Sequence, residues 1–420
     1  MAHPASVRSP GRLKAGALEV VHALREHAPI LSVSHDGRRF ERSFRPDVEG
    51  LRAIAVLLVV LDHAGVQVTR GGYVGVDVFF VLSGFLITGL LLREHERVGQ
   101  VSLPEFYARR VRRILPASTL VLVSTVAVTF LMLGTNRAIR VAIDGQWASV
   151  FFANLRLIQQ GTDYLSAQLP PSPLQHYWSL AVEEQFYLVW PSLFWLVIAV
   201  THGHRPRTSL AGVVAGIIAA SLAWSVWQTD RDGTVAYFSP LTRAWELAAG
   251  ALLAVAVPVV LRLPVRLGVA CSIAGLLAIA IAGLLFDHNT PIPGYAVALP
   301  VGGAFLAVAG GTIAPTRGLE PLLATRVLQW LGKRSYAWYL WHWPVLTIAA
   351  GRIGHPLTVL ENVGLCLLAL AVAAISFSLV ERPIHRSSRL MSRTPWLSVA
   401  LGAVLVAGSF TMLSGLIAQR

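Results

Sequence analysis

Apolar runs of membrane-spanning length recur along this chain, and they leave little choice of architecture. A hydrocarbon core of about 30 Å takes roughly 20 residues of helix to cross. Inside it the backbone has no water to bond, so only helices and closed barrels traverse it. Such runs begin near Leu51, Gly75, Ile114, Glu184, Leu210, Leu241, Leu267, Ala296, Ser335, Leu360 and Trp396. The expected fold is therefore all-α, a polytopic membrane helix bundle of about 10–11 transmembrane helices. The first and ninth runs are short and polar at one end, so they define a span least firmly. At 55% hydrophobic and 14% charged residues, the composition excludes a soluble globule.

Charge sets the expected orientation. With the amino terminus in the cytoplasm and the spans alternating, 27 of the 35 Arg and Lys residues fall on the inner side. The net charge of +13 is thus a topology signal, and nucleic acid is not an expected partner. An odd number of spans places Arg420 outside a cell (plasma) membrane. Residues 1–43 are rich in Arg, His, Ser and Pro; Leu18–Leu24 is too short for a signal peptide and is broken by Glu19 and His22. This segment reads as a disordered cytoplasmic tail. Cys271 and Cys366 have no CxxC or metal-ligand spacing and read as small apolar residues, so no metal is expected.

Arg52 and His63 bracket the apolar run Ala53–Leu61. Eleven residues at ~100° each return the side chain to almost the same direction, with a rise of ~16 Å. An ionisable group at such depth is costly and usually faces a polar cavity where it acts. The plainer alternative is a histidine that bonds a neighbouring helix.

Blocks in a fixed order identify the chain by resemblance. Phe44–Val56 (FRPDVEGLRAIAV), Gly72–Thr88 (GYVGVDVFFVLSGFLIT), Tyr107–Pro116 (YARRVRRILP), Tyr177–Tyr187 (YWSLAVEEQFY), Ser335–Pro344 (SYAWYLWHWP) and Glu381–Pro383 run from one end to the other. Together they resemble the bacterial acyltransferase-3 family, integral-membrane O-acyltransferases of cell-surface polysaccharides. The resemblance implies an acyltransferase-3 membrane domain over 44–394 with an additional transmembrane helix at 395–420. It also implies transfer of an acyl group, acetyl in most members, from cytoplasmic acyl-CoA (acetyl-CoA) to a hydroxyl of a glycan, with no permanently bound cofactor. Arg52 and His63 match the family's essential Arg-x10-His pair, and Arg109, Arg110 and Arg113 match its arginine motif. Larger members carry an extracytoplasmic esterase-like domain after the additional helix; here that function would fall to a separate partner. Asp62 stands where many members have an aromatic residue.

Elementary chemistry asks for the same parts. Ester formation needs a base for the hydroxyl, and a histidine with an unperturbed pKa near ~6.5 suits that task. Arg109, Arg110 and Arg113 would bind the phosphates of the donor, with Arg52 between them and His63; their alternative is anchoring to the anionic lipid bilayer. Glu183 and Glu184 are expected to open the fourth span at its outer face, and Asp77 lies near the outer end of the second. Each carboxylate would hold His63 in one tautomer or bind sugar hydroxyls, or else is a helix-start acid favoured by the dipole. His342, ringed by Trp338, Tyr339, Trp341 and Trp343, is a secondary candidate. The outer connection from Gly134 to Trp178, with Pro170-Pro171-Ser172-Pro173, is expected to be a lid or binding loop. The rival reading is a polytopic transporter or exporter of a glycan or proton-coupled solute; release of free CoA distinguishes the two.

Overall fold

Among the described residues, eleven helices of 16 residues or more stand where the apolar runs predict them, and there is no strand. They are α1 (Pro46–His63), α2 (Gly75–Val98), α3 (Leu103–Leu133), α4 (Tyr177–Val200), α5 (Pro206–Arg231), α6 (Pro240–Val260), α7 (Val265–Leu285), α8 (Ala298–Ile313), α9 (Arg326–Ile353), α10 (Val359–Ser376) and α11 (Pro395–Ala418). The computed structural model describes residues 45–161, 171–287, 289–387 and 394–418, so the expected tail at 1–43 lies outside it. Seven of the eleven are long and apolar enough to cross a membrane by themselves. Of the other four, α8 has only 16 residues, and α1, α4 and α9 carry ionisable side chains. The chain is a multi-pass membrane protein.

Local chemistry fixes the helix ends. Thr358 and Glu361 form a reciprocal capping box at the start of α10. Pro206 and Pro240 occupy first-turn positions of α5 and α6, where a missing N–H costs nothing. Gly99 and Gly354 close α2 and α9 at φ of 80° and 81°, a conformation that favours glycine.

The helices alternate in sense, as an eleven-span chain requires. Gly72 backs onto the Leu58 carbonyl and Gly75 onto that of Ala55, so α2 runs against α1. Gly268 meets Ile313 and Gly275 meets Ala307, so α8 runs against α7. By contrast α9 runs with α1: Gln329 donates to the Pro46 carbonyl at 2.8 Å, Gly332 abuts the Glu49 carbonyl, and His342 lies opposite His63. Helix α3 runs with α9, through Tyr336 on the Ile114 carbonyl at 3.0 Å and Gly351 beside Leu133. It also runs with α11, through Arg112 on Ser398 at 2.7 Å and Leu115 against Gly402. The amino end of α1 and the carboxyl end of α11 therefore lie at opposite faces of the bundle. The two spans that the sequence defined least firmly, the first and the ninth, are each other's neighbours.

Small residues bring α2 and α6 into backbone contact. A Cβ at Gly84 would overlap the Leu247 carbonyl, and one at Gly250 would overlap that of Val81. Among its described residues, the long connection after α3 is largely helical where a loop is expected. It contains helices Thr135–Ser149 and Ala153–Gln160, the first of which packs on α3 and α11, with Gln146 donating to Ser414 at 2.7 Å. Its amphipathic face supplies the reason: Ala138, Ile139, Val141, Ala142 and Gly145 are the buried side.

Candidate active site

The site has two ends, joined along α1. At the carboxyl end of that helix, His63 Nδ1 lies 2.9 Å from His342 Nε2, with the two ring planes 7° apart and their centroids 5.2 Å apart, and the Trp343 ring 4.5 Å from His63. Helix α9 is adapted to this contact by Pro344, which has no N–H and so leaves the carbonyl of Leu340 without its usual partner one turn back. His176 Nε2 takes that place at 3.0 Å. The Tyr339 hydroxyl donates to the His176 carbonyl at 3.0 Å, and Ser179 Oγ is 2.7 Å from the same hydroxyl. His176 and His342 are both fully buried, and their rings meet edge to face at 5.9 Å. The secondary candidate His342 is thus a direct neighbour of His63. His176 escaped the sequence reading; the signal that points to it is the carbonyl freed by Pro344.

Near the amino end of α1, Arg52 makes an ion pair with Glu49 at 3.5 Å and lies within electrostatic range of Arg113, Glu183 and Tyr187. Helix periodicity divides the arginine motif of α3. Arg110 and Arg113, three apart, share the inward face. The Arg110 guanidinium sits over the rings of Phe106 at 5.8 Å and Tyr187 at 5.4 Å, in electrostatic range of Glu183 and Glu184. Arg109 points elsewhere, held by Glu94 at 2.7 Å and Glu105 at 3.4 Å. The expected trio is therefore an inward pair plus an arginine already paired with two carboxylates.

Glu183 and Glu184 do not open α4. The helix starts at Tyr177, which carries them six and seven residues into it. Glu183 accepts from the hydroxyls of Ser83 on α2 and Tyr187 one turn on. Glu184 Oε1, Arg110 Nε and Glu381 Oε1 are buried and have no hydrogen-bond partner among the described residues. Glu381 arrives through a π-helical turn, Phe377–Glu381, that follows α10 and brings its carboxyl within range of Arg52 and Arg113. Tyr187 and Glu381 belong to the motif blocks, but nothing in their local sequence singles them out.

Asp77 belongs to a buried ion-pair cluster. It pairs with Arg243 at 2.8 Å, and Arg243 also reaches Glu246 at 3.1 Å and the Tyr237 carbonyl at 3.2 Å. All three charged groups are buried at 3% exposure or less. They join α2 to α6. Among the described residues no group of three His, Cys, Asp or Glu is arranged to hold a metal ion.

The arrangement offers two chemistries along α1, the first completed by two arginines of α3. Arg52, Arg110 and Arg113 form a cationic group in which guanidinium N–H donors remain for an anion. His63, ~16 Å further along by helix rise, presents an imidazole for proton transfer.

Comparisons with known proteins bear on what this pairing is for. The acyltransferase-3 model, described as an acyltransferase domain, matches residues 45–378. The chain is 32% identical to the peptidoglycan O-acetyltransferase OatA of Listeria monocytogenes, over 89% of this chain and 63% of that protein. It is 34% identical to the putative peptidoglycan O-acetyltransferase YrhL of Bacillus subtilis, over 81% of this chain and 55% of that protein. Identity to the O-acetyltransferase OatA of Staphylococcus aureus is 31%, over 84% and 59% respectively. The aligned chain spans only 55–63% of the length of these three relatives. No solved structure matches it.

Proposed function

Since the chain belongs to the acyltransferase-3 family, we propose that it moves an acetyl group from acetyl-CoA, bound at the arginine end of the site, to a hydroxyl of a cell-surface glycan at the histidine end. Likeness to the OatA proteins favours peptidoglycan as that glycan. Arg110, Arg113 and Arg52 hold the phosphates of the donor and lead its thioester towards His63. The acceptor O–H bond breaks as its oxygen bonds to the acyl carbon, and the proton passes to His63. The acyl–sulfur bond then breaks, and the departing thiolate takes that proton to leave as free CoA. The arginine end faces the cytoplasm, where acyl-CoA is found, and the end of α11 faces outward; the excess of Arg and Lys on the inner loops supports this orientation.

One observation carries the reading. One face of α1 links Arg52, which meets the inward-turned Arg110 and Arg113 of α3 beside buried polar atoms without hydrogen-bond partners among the described residues, to the half-buried His63 and its buried neighbour His342. The purified protein in lipid nanodiscs, given labelled acetyl-CoA and a peptidoglycan fragment, should release free CoA and form one alkali-labile ester on the glycan for each CoA released. Glycan or proton movement across vesicles without any CoA release would overturn the proposal in favour of an exporter.

A further inference from the structure

We infer that His342 selects the tautomer of His63 and so makes Nε2 of His63 the nitrogen that takes the acceptor's proton. The inference rests on the general-base reading of His63. Its warrant is a one-directional chain of hydrogen bonds. His342 Nδ1 lies 2.6 Å from the Tyr339 carbonyl and 3.3 Å from that of Trp338. A carbonyl only accepts, so this nitrogen carries the hydrogen. Neutral imidazole has one N–H, which leaves His342 Nε2 as an acceptor. The atom 2.9 Å from it is His63 Nδ1, which must donate. With its hydrogen on Nδ1, His63 keeps its lone pair on Nε2.

The backbone around His342 is held so that this chain cannot easily reverse. Pro344 removes the N–H that would have bonded the Leu340 carbonyl, and His176 occupies that carbonyl instead. Trp343 Nε1 donates to the Ser172 carbonyl at 2.9 Å, which ties the same turn to the segment leading into α4. The Tyr339 carbonyl is thereby fixed beneath His342 Nδ1. His342 acts through His63 and need not touch substrate, so it is a positioning residue in the sense that the acid of a Ser-His-Asp triad is one.

Two measurements test it on the full chain in nanodiscs. Nitrogen-15 NMR of histidine-labelled protein, with His63 assigned by its loss in His63→Ala, should show His63 protonated at Nδ1. In His342→Ala the hydrogen should redistribute between the two nitrogens. Turnover should fall about a hundredfold in His342→Ala, in the range for loss of an organised general base, with donor affinity unchanged. In His342→Gln, whose side-chain oxygen can accept from Nδ1–H, much of that loss should be recovered. His63 protonated at Nε2 in the resting protein would overturn the inference, as would full turnover in His342→Ala. Wild-type turnover in His63→Ala would instead sink the general-base reading and leave the tautomer result standing.

Discussion

Arg243 and Arg110 are both arginines turned into a bundle of membrane helices, and their surroundings could hardly differ more. Arg243 has a carboxylate on α2, another on its own helix and the Tyr237 carbonyl, with the rings of Trp178 and Tyr237 against its guanidinium. Arg110 has aromatic rings and an Nε without a hydrogen-bond partner among the described residues. A buried cation bonded to carboxylates on two helices serves the fold. One whose own Nε is left in reserve suits the donor phosphate that we propose it binds. The contrast separates the part of the molecule that holds α2 to α6 from the part that we propose handles substrate.

Breaking the first region should have the largest effect on stability. Arg243→Met strands Asp77 and Glu246 in the interior, a loss of ~3–5 kcal/mol for one partner of a buried pair. Thermal unfolding in detergent should show a large drop and a low folded yield; an unchanged transition would remove the structural reading of this cluster. Arg110→Gln should leave that transition in place and weaken acyl-CoA binding. Loss of a charge-assisted contact of ~1.5–3 kcal/mol corresponds to about ten- to a hundredfold in affinity, as measured by titration calorimetry. Should the unfolding temperature fall instead while affinity holds, the two arginines would be of one kind. At Gly84, alanine pushes a methyl group into the Leu247 carbonyl, and overpacking of that sort costs ~1–3 kcal/mol; unfolding, and not donor affinity, should register it. Arg109→Gln should change least, ~0.2–1 kcal/mol for a partly exposed ion pair, with normal acyl-CoA affinity. A donor-affinity loss there equal to that of Arg110 would show that the split of the arginine motif is wrong.

Apolar runs made the helices legible, since every run of membrane length became a helix, and Arg52 and His63 kept the shared face that their spacing implies. Ends were harder. Aromatic and small residues from Tyr177 onward extend α4 towards its amino terminus, and this moved Glu183 and Glu184 from the mouth to the interior. Neighbours in sequence also misled: Arg109 lies beside Arg110, yet a turn of 3.6 residues points them to different partners. Long-range pairing left no local trace, so the tie between Asp77 and Arg243, 166 positions apart, was unreadable. Glu381 depends on a π-helical turn that hydropathy does not encode. His176 is intermediate, because a proline at 344 announces a free carbonyl but not its partner.

In the proposed mechanism α1 carries the base, His63, and its amino end meets the donor-binding arginines of α3. This claim is tested most directly by measuring acyl-CoA binding and single-turnover transfer on the same preparation of His63→Ala in nanodiscs. The account predicts unchanged donor affinity with transfer slowed about 10²–10⁴-fold, the range for removal of a general base. Transfer at the wild-type rate would contradict it, and so would a loss of transfer fully explained by weaker donor binding.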